Sequence, residues 1–354
     1  MTGRVRASAP GGRILYVGNL MAGGNGPDRA AILEESGYVV EGFDTLPYRN
    51  AGPRLVRSMT ARWQTSLPVW RLNRDLKERA AKGGFDLVFV DKGTILYRST
   101  VVALRKAAAR NLAIHYTPDA QFFSNRSRHF FRAVPDYDLL VTTKPFEIDA
   151  YRQAGARELL HIEQGFGPRM DPALAVDVPQ HLQSEVAFVG HCQPHYTQVL
   201  EAIAAAGPLA VWGPGWQRYA RRNAWAREVV RGDGLFGPDY VRALAGAKIA
   251  IGLLSKFIPE TTTTRSFEIP AIGTMLLAER TDDHRAMFEE GVEAEFFDGP
   301  AELVDKIRYY LTRDAERERI AKAGQEKCRR AGYSTDQQFA RIVAWLEART
   351  PNGQ

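Results

Sequence analysis

Short, almost continuous apolar runs alternate along the chain with segments of helical periodicity. Apolar runs of about four to eight residues are typical of parallel strands that helices cover on both faces. Helical patterns lie between the runs, for example at residues 28–36, 98–110 and 238–247. The pattern predicts strands at residues 13–19, 37–44, 85–92, 111–117 and 137–144, and a second series at residues 185–191, 209–215, 248–254 and 274–279.

The two series are separated by residues 167–184, which contain prolines and have no clear period, so we interpret them as a linker. Strand, helix and strand in succession favour parallel sheets with right-handed crossovers. The sequence therefore predicts an α/β fold of two Rossmann-like domains that face each other across a cleft, followed by C-terminal helices. We expect the domains at residues 1–170 and 171–334, and a helix at residues 335–354 that packs back across the region between them.

Length and composition agree with this organisation. A chain of 354 residues exceeds one ordinary core, at about 150 residues per domain. Two cysteines, Cys192 and Cys328, are too few for a disulfide framework and fit a reducing compartment. The N-terminal residues lack the apolar stretch of a secretory signal, and no apolar run approaches the roughly 20 residues of a membrane span. We expect a cytoplasmic protein.

The first predicted strand runs into a glycine-rich segment, GNLMAGGNG at residues 18–26. Glycine lets the backbone approach a ligand closely and leaves N–H groups accessible at the start of the next helix. The segment lacks the G-x-G-x-x-G fingerprint of dinucleotide-binding folds and the Lys-Ser/Thr of a Walker A loop. We interpret it as a ligand-facing loop that includes Gly18 and Asn19; the alternative is a tight turn.

His115 and Asp119 occur where the fourth predicted strand ends. A histidine can transfer protons near neutral pH, and a carboxylate can act as a base or bind a hydroxyl group. Both residues are therefore candidates for catalysis. The structural alternatives are a hydrogen-bonded core histidine and an aspartate that caps the following helix.

The segment at residues 255–279 contains four consecutive threonines, Arg265, and two glutamates at positions 260 and 268. We expect a short helix over residues 264–272, so that the threonines and Arg265 lie around its start. N–H groups, hydroxyls and a guanidinium there can hold a diphosphate, and Glu268 can accept hydrogen bonds from a ribose diol. The alternative is a capped helix in a surface loop.

The run TRSFEIPAIGTMLLAERTDDHRAMFEEGVEAEFFDGPAELVDKIRYYL, at residues 264–311, resembles the donor-binding half of GT-B glycosyltransferases. It is similar in particular to the spore-maturation-type branch of the glycosyl transferases group 1 superfamily. The Arg-x-Phe-Glu signature corresponds to Arg265, Phe267 and Glu268. The spacing of Glu260 and Glu268 resembles the paired-glutamate motif of retaining GT-B enzymes. The resemblance covers residues 85–350 and does not specify a sugar.

The resemblance implies a donor site for UDP or another nucleotide sugar. Glu268 would bind the ribose, while Arg265, Lys256 and the backbone of Thr263 and Thr264 would hold the diphosphate. Gly190 and His191 would approach the phosphates, and Phe236 and Gly237 would border the base. The remaining implied donor-binding residues are Gly18, Asn19 and Gly213.

The implied reaction is transfer of a sugar from this donor to an acceptor that the glycine-rich loop, His115 and Asp119 would hold. Glu260 would face the donor sugar, and the glutamate pair favours retention of anomeric configuration. Alternatives are a nucleotide-sugar epimerase, a Rossmann oxidoreductase, and a non-catalytic nucleotide-sugar-binding or structural protein.

No metal is expected, because GT-B enzymes stabilise the departing diphosphate with cations and helix dipoles. His191, Cys192 and His195 are close in sequence, but Pro194 separates them and no second ligand cluster accompanies them. Asp136 and Asp138 form an Asp-x-Asp, which binds manganese in GT-A enzymes, but here it begins a predicted strand.

The net charge of +6 is unevenly distributed. Residues 54–79 carry seven Arg or Lys against two Asp or Glu, whereas residues 282–302 carry eight acidic residues and one arginine. A basic segment that contains tryptophan can contact an anionic membrane surface or an acidic acceptor. The alternative is a core-packed helix pair with a solvated basic face. No nucleic-acid partner is expected.

Overall fold

The computed structural model describes residues 12–123 and 125–349. The chain divides into unit 1, Met1–Glu163 with Asp336–Gln354, and unit 2, Gln164–Thr335. The boundary expected at residue 170 stays a prediction. Among the helices of the described residues, none combines the length and apolar character that crossing a bilayer requires.

Unit 1 contains a six-stranded parallel sheet with the strand order β2-β1-β3-β4-β5-β6. Its strands are β1 (Arg13–Gly18), β2 (Val39–Asp44), β3 (Leu87–Asp91), β4 (Leu112–Thr117), β5 (Leu139–Thr142) and β6 (Leu159–His161). Its helices are α1 (Asn25–Glu35), α2 (Leu46–Arg49), α3 (Arg54–Trp63), α4 (Leu67–Ala81), α5 (Arg98–Ala107), α6 (Arg128–Ala133), α7 (Ile148–Gln153) and, from the end of the chain, α16 (Thr335–Glu347).

Unit 2 contains a second six-stranded parallel sheet, with the order β12-β11-β10-β7-β8-β9. Its strands are β7 (Ser184–Val189), β8 (Ala210–Trp212), β9 (Val230–Gly232), β10 (Ala247–Gly252), β11 (Met275–Glu279) and β12 (Glu295–Phe297). Its helices are α8 (Pro194–Ala206), α9 (Trp216–Ala220), α10 (Ala224–Val229), α11 (Pro238–Ala245), α12 (Arg265–Ala271), α13 (Asp282–Met287), α14 (Pro300–Leu311) and α15 (Asp314–Arg330).

Both sheets are buried on both faces, which explains the continuous apolar runs of their strands. In β1, Ile14 and Tyr16 pack in one core cluster, whereas Leu15 and Val17 pack in the cluster on the opposite face. Helix α16 covers the first face of this sheet with a stripe of apolar side chains at helical spacing: Phe339, Ile342, Val343 and Leu346.

Each sheet has one point at which the strand order reverses. In unit 1 it lies between β1 and β3, and in unit 2 between β7 and β10. Counted within unit 2, the order is that of the dinucleotide-binding Rossmann sheet. Ligands bind outside the carboxyl ends of the strands at such a reversal.

All nine predicted strands are present, and the predicted two-sheet α/β fold is confirmed. The three strands that the pattern missed, β6, β9 and β12, are sheet-edge strands of three residues each, too short for a periodic signal. The predicted linker at residues 167–184 belongs to unit 2, where Met170 and Leu182 are buried in the core.

Candidate functional site

At the switch point of unit 2, the loops after β7 and β8 are in backbone contact. A Cβ atom at Gly213 would lie 1.9 Å from the carbonyl oxygen of Gly190, and Gly213 has φ +147°. The indole of Trp216 donates a hydrogen bond of 2.8 Å to the same oxygen. Only glycine fits this approach, which leaves an edge of bare backbone where a ligand can lie close.

The guanidinium of Arg265, at the start of α12, lies beside this edge. An added Cβ at Gly190 would be 3.5 Å from Arg265 Nη1, and the guanidinium carbon lies 5.9 Å from the ring centroid of Phe188. Arg265 Nε and the hydroxyl of Thr263 are buried without a hydrogen-bond partner among the described residues. Buried polar groups are normally satisfied, so these two are available to a ligand that brings acceptors.

The backbone N–H groups at the start of α12 are largely occupied. Those of Phe267 and Glu268 donate to the carbonyl of Thr264, and that of Ser266 donates to the carbonyl of Thr263. The predicted helix over residues 264–272 is confirmed as a seven-residue helix. Anion binding at this position therefore depends on side chains more than on free backbone N–H groups.

Glu268 and Tyr240 bring α12 and α11 together. The Tyr240 hydroxyl donates a hydrogen bond of 2.5 Å to Glu268 Oε2. Burial raises the pKa of the Glu268 carboxyl above its usual value; Tyr240 and the positive charges of Arg265 and Arg169 oppose this. A partly desolvated carboxylate held by one hydroxyl can accept further hydrogen bonds from a ligand diol.

Lys256 and Glu260 lie in the loop after β10. Lys256 is paired with the carboxylate of Glu279, which also accepts a hydrogen bond of 2.8 Å from the Leu254 N–H. Glu260 Oε2 accepts a hydrogen bond of 3.3 Å from the Ser255 N–H. Burial raises the pKa of Tyr196 to about 12; Arg265 lowers it, and Glu260 raises it. The charges of Arg265 and Glu260 therefore both reach this tyrosine.

Phe236 is 75% exposed and directly precedes Gly237, which has φ +57° and caps the start of α11. This turn is three residues from Tyr240 and hence close in sequence to the Glu268 contact. An exposed aromatic ring there can stack on a planar ligand group.

A buried histidine fixes the threonine loop. The Ser266 hydroxyl lies 2.7 Å from His284 Nε2, and His284 Nδ1 lies 2.7 Å from the Glu279 carbonyl oxygen. A carbonyl only accepts, so Nδ1 carries the proton and Nε2 accepts from Ser266. The Thr263 N–H in turn donates to Ser266 Oγ. Burial lowers the pKa of His284, in agreement with a neutral ring.

The candidate metal ligands do not assemble. His191 is exposed, and the imidazole of His195 lies 3.6 Å from Glu279. Asp136 and Asp138 are paired with Arg98 and Arg105. Within the described ranges, no group of three or more His, Cys, Asp or Glu side chains is arranged to hold a metal ion.

Unit 1 has a cavity of about 220 Å³ at its own switch point. It lies between the loop after β1, which contains Asn19, and the turn after β3. Its walls include Arg29, Asp91 and Lys92. Arg29 Nη2 pairs with Asp91 Oδ2 at 2.6 Å, and the Tyr16 hydroxyl donates to the same oxygen at 2.6 Å.

His115 does not reach this cavity. Its side chain is fully buried between the rings of Phe130 and Tyr137, and desolvation lowers its pKa to about 4. Since Nε2 lies 2.9 Å from the Lys92 carbonyl oxygen, it donates a hydrogen bond to that oxygen. This environment favours the core alternative over proton transfer to a substrate.

Asp119 Oδ2 pairs with Lys92 Nζ at 2.6 Å. Asp119 does not cap the following helix, which was the structural alternative, because α6 begins at Arg128 and is capped by Ser127. The catalytic role of Asp119 stays a prediction.

Gly18 and Asn19 lie in unit 1 beside Asp91, whereas every other predicted donor-binding residue lies in unit 2. Further residues at these two sites were not predicted from the sequence: Tyr240 and Arg169 in unit 2, and Arg29, Arg49, Asp91 and Lys92 in unit 1. One signal was available: Asp91 and Lys92 are charged residues at the end of an apolar strand.

Residues 195–344 match the profile of the family described as glycosyl transferase-like. No curated protein matches the chain.

Solved structures match nearly the whole chain. Anabaena HepE, in complex with UDP-glucose, is 16% identical, with a TM-score of 0.63, over 95% of this chain and 100% of that one. A glycosyltransferase from Rickettsia africae is 13% identical, with a TM-score of 0.68, over 97% and 100%. A putative UDP-N-acetylglucosamine 2-epimerase from Listeria monocytogenes is 12% identical, with a TM-score of 0.56, over 97% of each. At these identities the likeness establishes the fold, which is GT-B. The spore-maturation branch stays a prediction.

Proposed function

We propose that the protein transfers a sugar from a nucleotide-sugar donor, in the first instance a UDP-sugar, to the hydroxyl group of an acceptor. The observation that carries this proposal is the group of residues at the switch point of unit 2. There a partly buried carboxylate, Glu268, lies near a guanidinium with an unpartnered Nε, Arg265, and a glycine-edged backbone. The glycosyl transferase-like match and the UDP complexes of HepE support it.

In this proposal Glu268 accepts hydrogen bonds from the ribose diol, and Phe236 and Gly237 border the base. Arg265 and the Thr263 hydroxyl hold the diphosphate along the Gly190 edge. Lys256 can join them if it leaves Glu279.

In the reaction, the acceptor oxygen forms a bond to the anomeric carbon and gives up its proton, which passes to an oxygen of the departing diphosphate. The bond from that carbon to the diphosphate oxygen breaks, and the nucleoside diphosphate leaves with the electron pair. Cations positioned before the reaction stabilise the charge that develops on the leaving group.

The proposal includes retention of anomeric configuration, with Glu260 facing the donor sugar, and no essential metal. NMR analysis of the product tests the first part, and an inverted product would refute it. Assays with EDTA test the second: activity should persist, and loss that Mg²⁺ or Mn²⁺ restores would refute it.

A thermal-shift panel of nucleotide sugars tests the donor assignment, since a ligand that binds the folded state raises its melting temperature. We expect stabilisation by UDP and by at least one UDP-sugar, and loss of donor turnover in Glu268→Ala. Donor conversion to an epimer without an acceptor would indicate the epimerase instead. Binding without any turnover would indicate the non-catalytic alternative.

We propose further that residues 54–79 contact an anionic membrane surface. In α3 only Thr60 is buried, while Leu55 and Trp63 are 73% and 60% exposed. In α4, Leu67 and Trp70 are also exposed, and the Arg74 guanidinium lies 5.4 Å from the Trp70 ring centroid. Exposed tryptophan and leucine with excess arginine suit the interface of an anionic bilayer.

Vesicle pelleting tests this contact. We expect binding to vesicles that contain anionic lipid, weaker binding of Trp63→Ser, and no change in Val176→Ser, which alters an exposed apolar residue of unit 2. Equal pelleting of both variants and the wild type, or no charge-dependent binding, would leave these helices as an ordinary solvated surface.

A further inference from the structure

The cavity of unit 1 is a second polar site, and, among the described residues, Asn19 is the one member of the implied donor-binding set in its lining. Its lining includes the first residues of α1, Asn25 and Gly26, and three cationic side chains. Arg29 and Lys92 are paired with Asp91 and Asp119. Arg49 is exposed and has no ion-pair partner among the residues that the structure describes.

The carboxylate of Asp91 points to what the cavity binds. Asp91 is 5% exposed, and its Oδ2 accepts hydrogen bonds from Tyr16 and Arg29. Its Oδ1 is buried without a partner in the described structure, although the residue lines the cavity. A buried carboxylate oxygen is rarely left unsatisfied, and a hydroxyl group is a donor that fits it.

The surroundings of Asp91 add affinity for an anion. The N-cap of α1, an eleven-residue helix, is Gly24, which offers no side-chain cap. A Cβ at Gly26 would lie 1.9 Å from the Asn19 carbonyl oxygen, so the loop closes this tightly only with glycine. Pro27, which has no N–H, and the acidic Asp28 lie in the first turn of this helix, so affinity for a negatively charged group depends on Arg49 and on Lys92, which must exchange its partner Asp119 for the ligand.

The turn that contains Asp91 and Lys92 is strained, and hydrogen bonds from β4 hold it in place. Lys92 has φ +71°, which costs a non-glycine residue about 1 kcal/mol or more. Two bonds from β4 clamp its backbone: His115 Nε2 donates to the Lys92 carbonyl, and the Lys92 N–H donates to the Tyr116 carbonyl at 2.8 Å. His115 is thus placed to keep the turn in this conformation.

We propose that this cavity binds the acceptor, and that the acceptor is a small polyhydroxylated anion, a sugar or polyol that carries a phosphate or carboxylate. Asp91 Oδ1 accepts a hydrogen bond from one of its hydroxyl groups, while Arg49 and Lys92 hold its anionic group. His115 is a positioning residue for the Asp91–Gly93 turn. The acceptor role rests on the proposed function; the binding chemistry does not.

Isothermal titration with matched probes tests the binding without requiring turnover. The probes are hexose 6-phosphates and hexuronic acids, the corresponding neutral hexoses, and inorganic phosphate. We expect at least one anionic sugar to bind about tenfold more tightly than its neutral counterpart and than phosphate, because only it uses both parts of the cavity. No binding of any anionic sugar at about 10 mM would overturn the proposal. Equal affinity for inorganic phosphate would reduce the cavity to a simple anion site and also overturn it.

Arg49→Gln should weaken the probe about tenfold and leave UDP affinity unchanged, because UDP is assigned to unit 2. Arg132→Gln, which removes an exposed arginine of α6 outside the cavity, should change neither. If Arg49→Gln binds the probe as the wild type does, the site is not this cavity. If UDP fails to bind while the probe behaves as expected, the donor proposal fails and the cavity stands.

The role of His115 is separated from general stability by rescue. His115→Leu should weaken the probe more than it weakens UDP, whereas His115→Gln, which keeps a donor for the Lys92 carbonyl, should restore most of the probe affinity. Equal losses for both ligands, or no rescue by glutamine, would reduce His115 to a packing residue.

Discussion

Each unit places a carboxylate, an arginine and a tyrosine hydroxyl at its switch point, but it connects them differently. In unit 1, Arg29 bonds directly to Asp91 through two nitrogens, and Tyr16 completes the set. In unit 2, Tyr240 bonds to Glu268, while Arg265 acts on it only through its charge and keeps an unpartnered Nε.

The difference separates two uses of one chemistry. In unit 1, Asp91 and Arg29 satisfy each other and, with Tyr16, connect β1, α1 and β3. Only Asp91 Oδ1 has no partner in the described structure. We call this a closed set. In unit 2, Glu268 and Arg265 do not bond to each other, so the carboxylate is partly desolvated and Arg265 Nε has no acceptor in the described structure. We call this an open set. An open set is unfavourable for the free protein and becomes favourable when a ligand completes it.

Asp91→Asn should have the largest effect on stability, because it leaves Arg29 buried without its counter-charge. We expect the free energy of unfolding to fall by about 3–5 kcal/mol, measured by urea titration. Asp149→Asn, which breaks an exposed pair with Arg152, should cost less than about 1 kcal/mol. If the two variants differ little, the Arg29–Asp91 pair is not the closed structural unit described above.

Acid should destabilise unit 1 through His115, whose folded pKa of about 4 lies below its ordinary value of 6.5. A histidine with a lowered pKa contributes stability that is present above pH 6.5 and lost as the pH falls toward 4. The loss should total about 3 kcal/mol in urea titrations across this range. His115→Gln lacks the titrating group, so its stability should decline less steeply; equal slopes would contradict the prediction.

Glu268→Gln should have the opposite effect on stability from that expected of Asp91→Asn. Burial raises the pKa of Glu268, so its ionised form is disfavoured, and stability is lost as the pH rises through that pKa. The glutamine variant should therefore be at least as stable as the wild type at neutral pH, yet bind UDP about tenfold more weakly or worse. Glu228→Gln, at an exposed position of α10, is the control. Unchanged UDP affinity would remove Glu268 from the site.

Tyr240→Phe should have the smallest effect. It removes one hydrogen bond that lowers the pKa of Glu268, so this pKa should rise further. We expect UDP affinity to fall by less than about tenfold, or roughly 1 kcal/mol, with the loss growing as the pH is lowered. A loss as large as that of Glu268→Gln would mean that Tyr240 itself contacts the ligand.

The sequence predicted the fold well because its signals are local. The β3 and β10 runs are apolar because each strand is covered on both faces. The short α12 was predictable because Pro270 and Gly273, soon after Arg265, limit the length of a helix. The segment proposed to bind the donor was recognisable for the same reason: Arg265 and Glu268 lie one helical turn apart.

The hydrogen-bond and ion-pair partners of the site residues could not be predicted from local sequence patterns. Tyr240 lies 28 positions from Glu268, and Asp91 lies 62 positions from Arg29. His115 was a catalytic candidate because it lies near the end of a strand, but its ring packs in the core between Phe130 and Tyr137.

The sequence by itself determined two parallel sheets, the order of their elements and the segment of the proposed donor site, because periodicity and short motifs depend on neighbours in the chain. Only the tertiary structure decided that Asp91 forms an ion pair with Arg29, whereas Glu268 has no direct bond to Arg265. That decision depends on distance and burial, since a charge is stabilised or destabilised by the groups packed around it and not by the residues beside it in sequence.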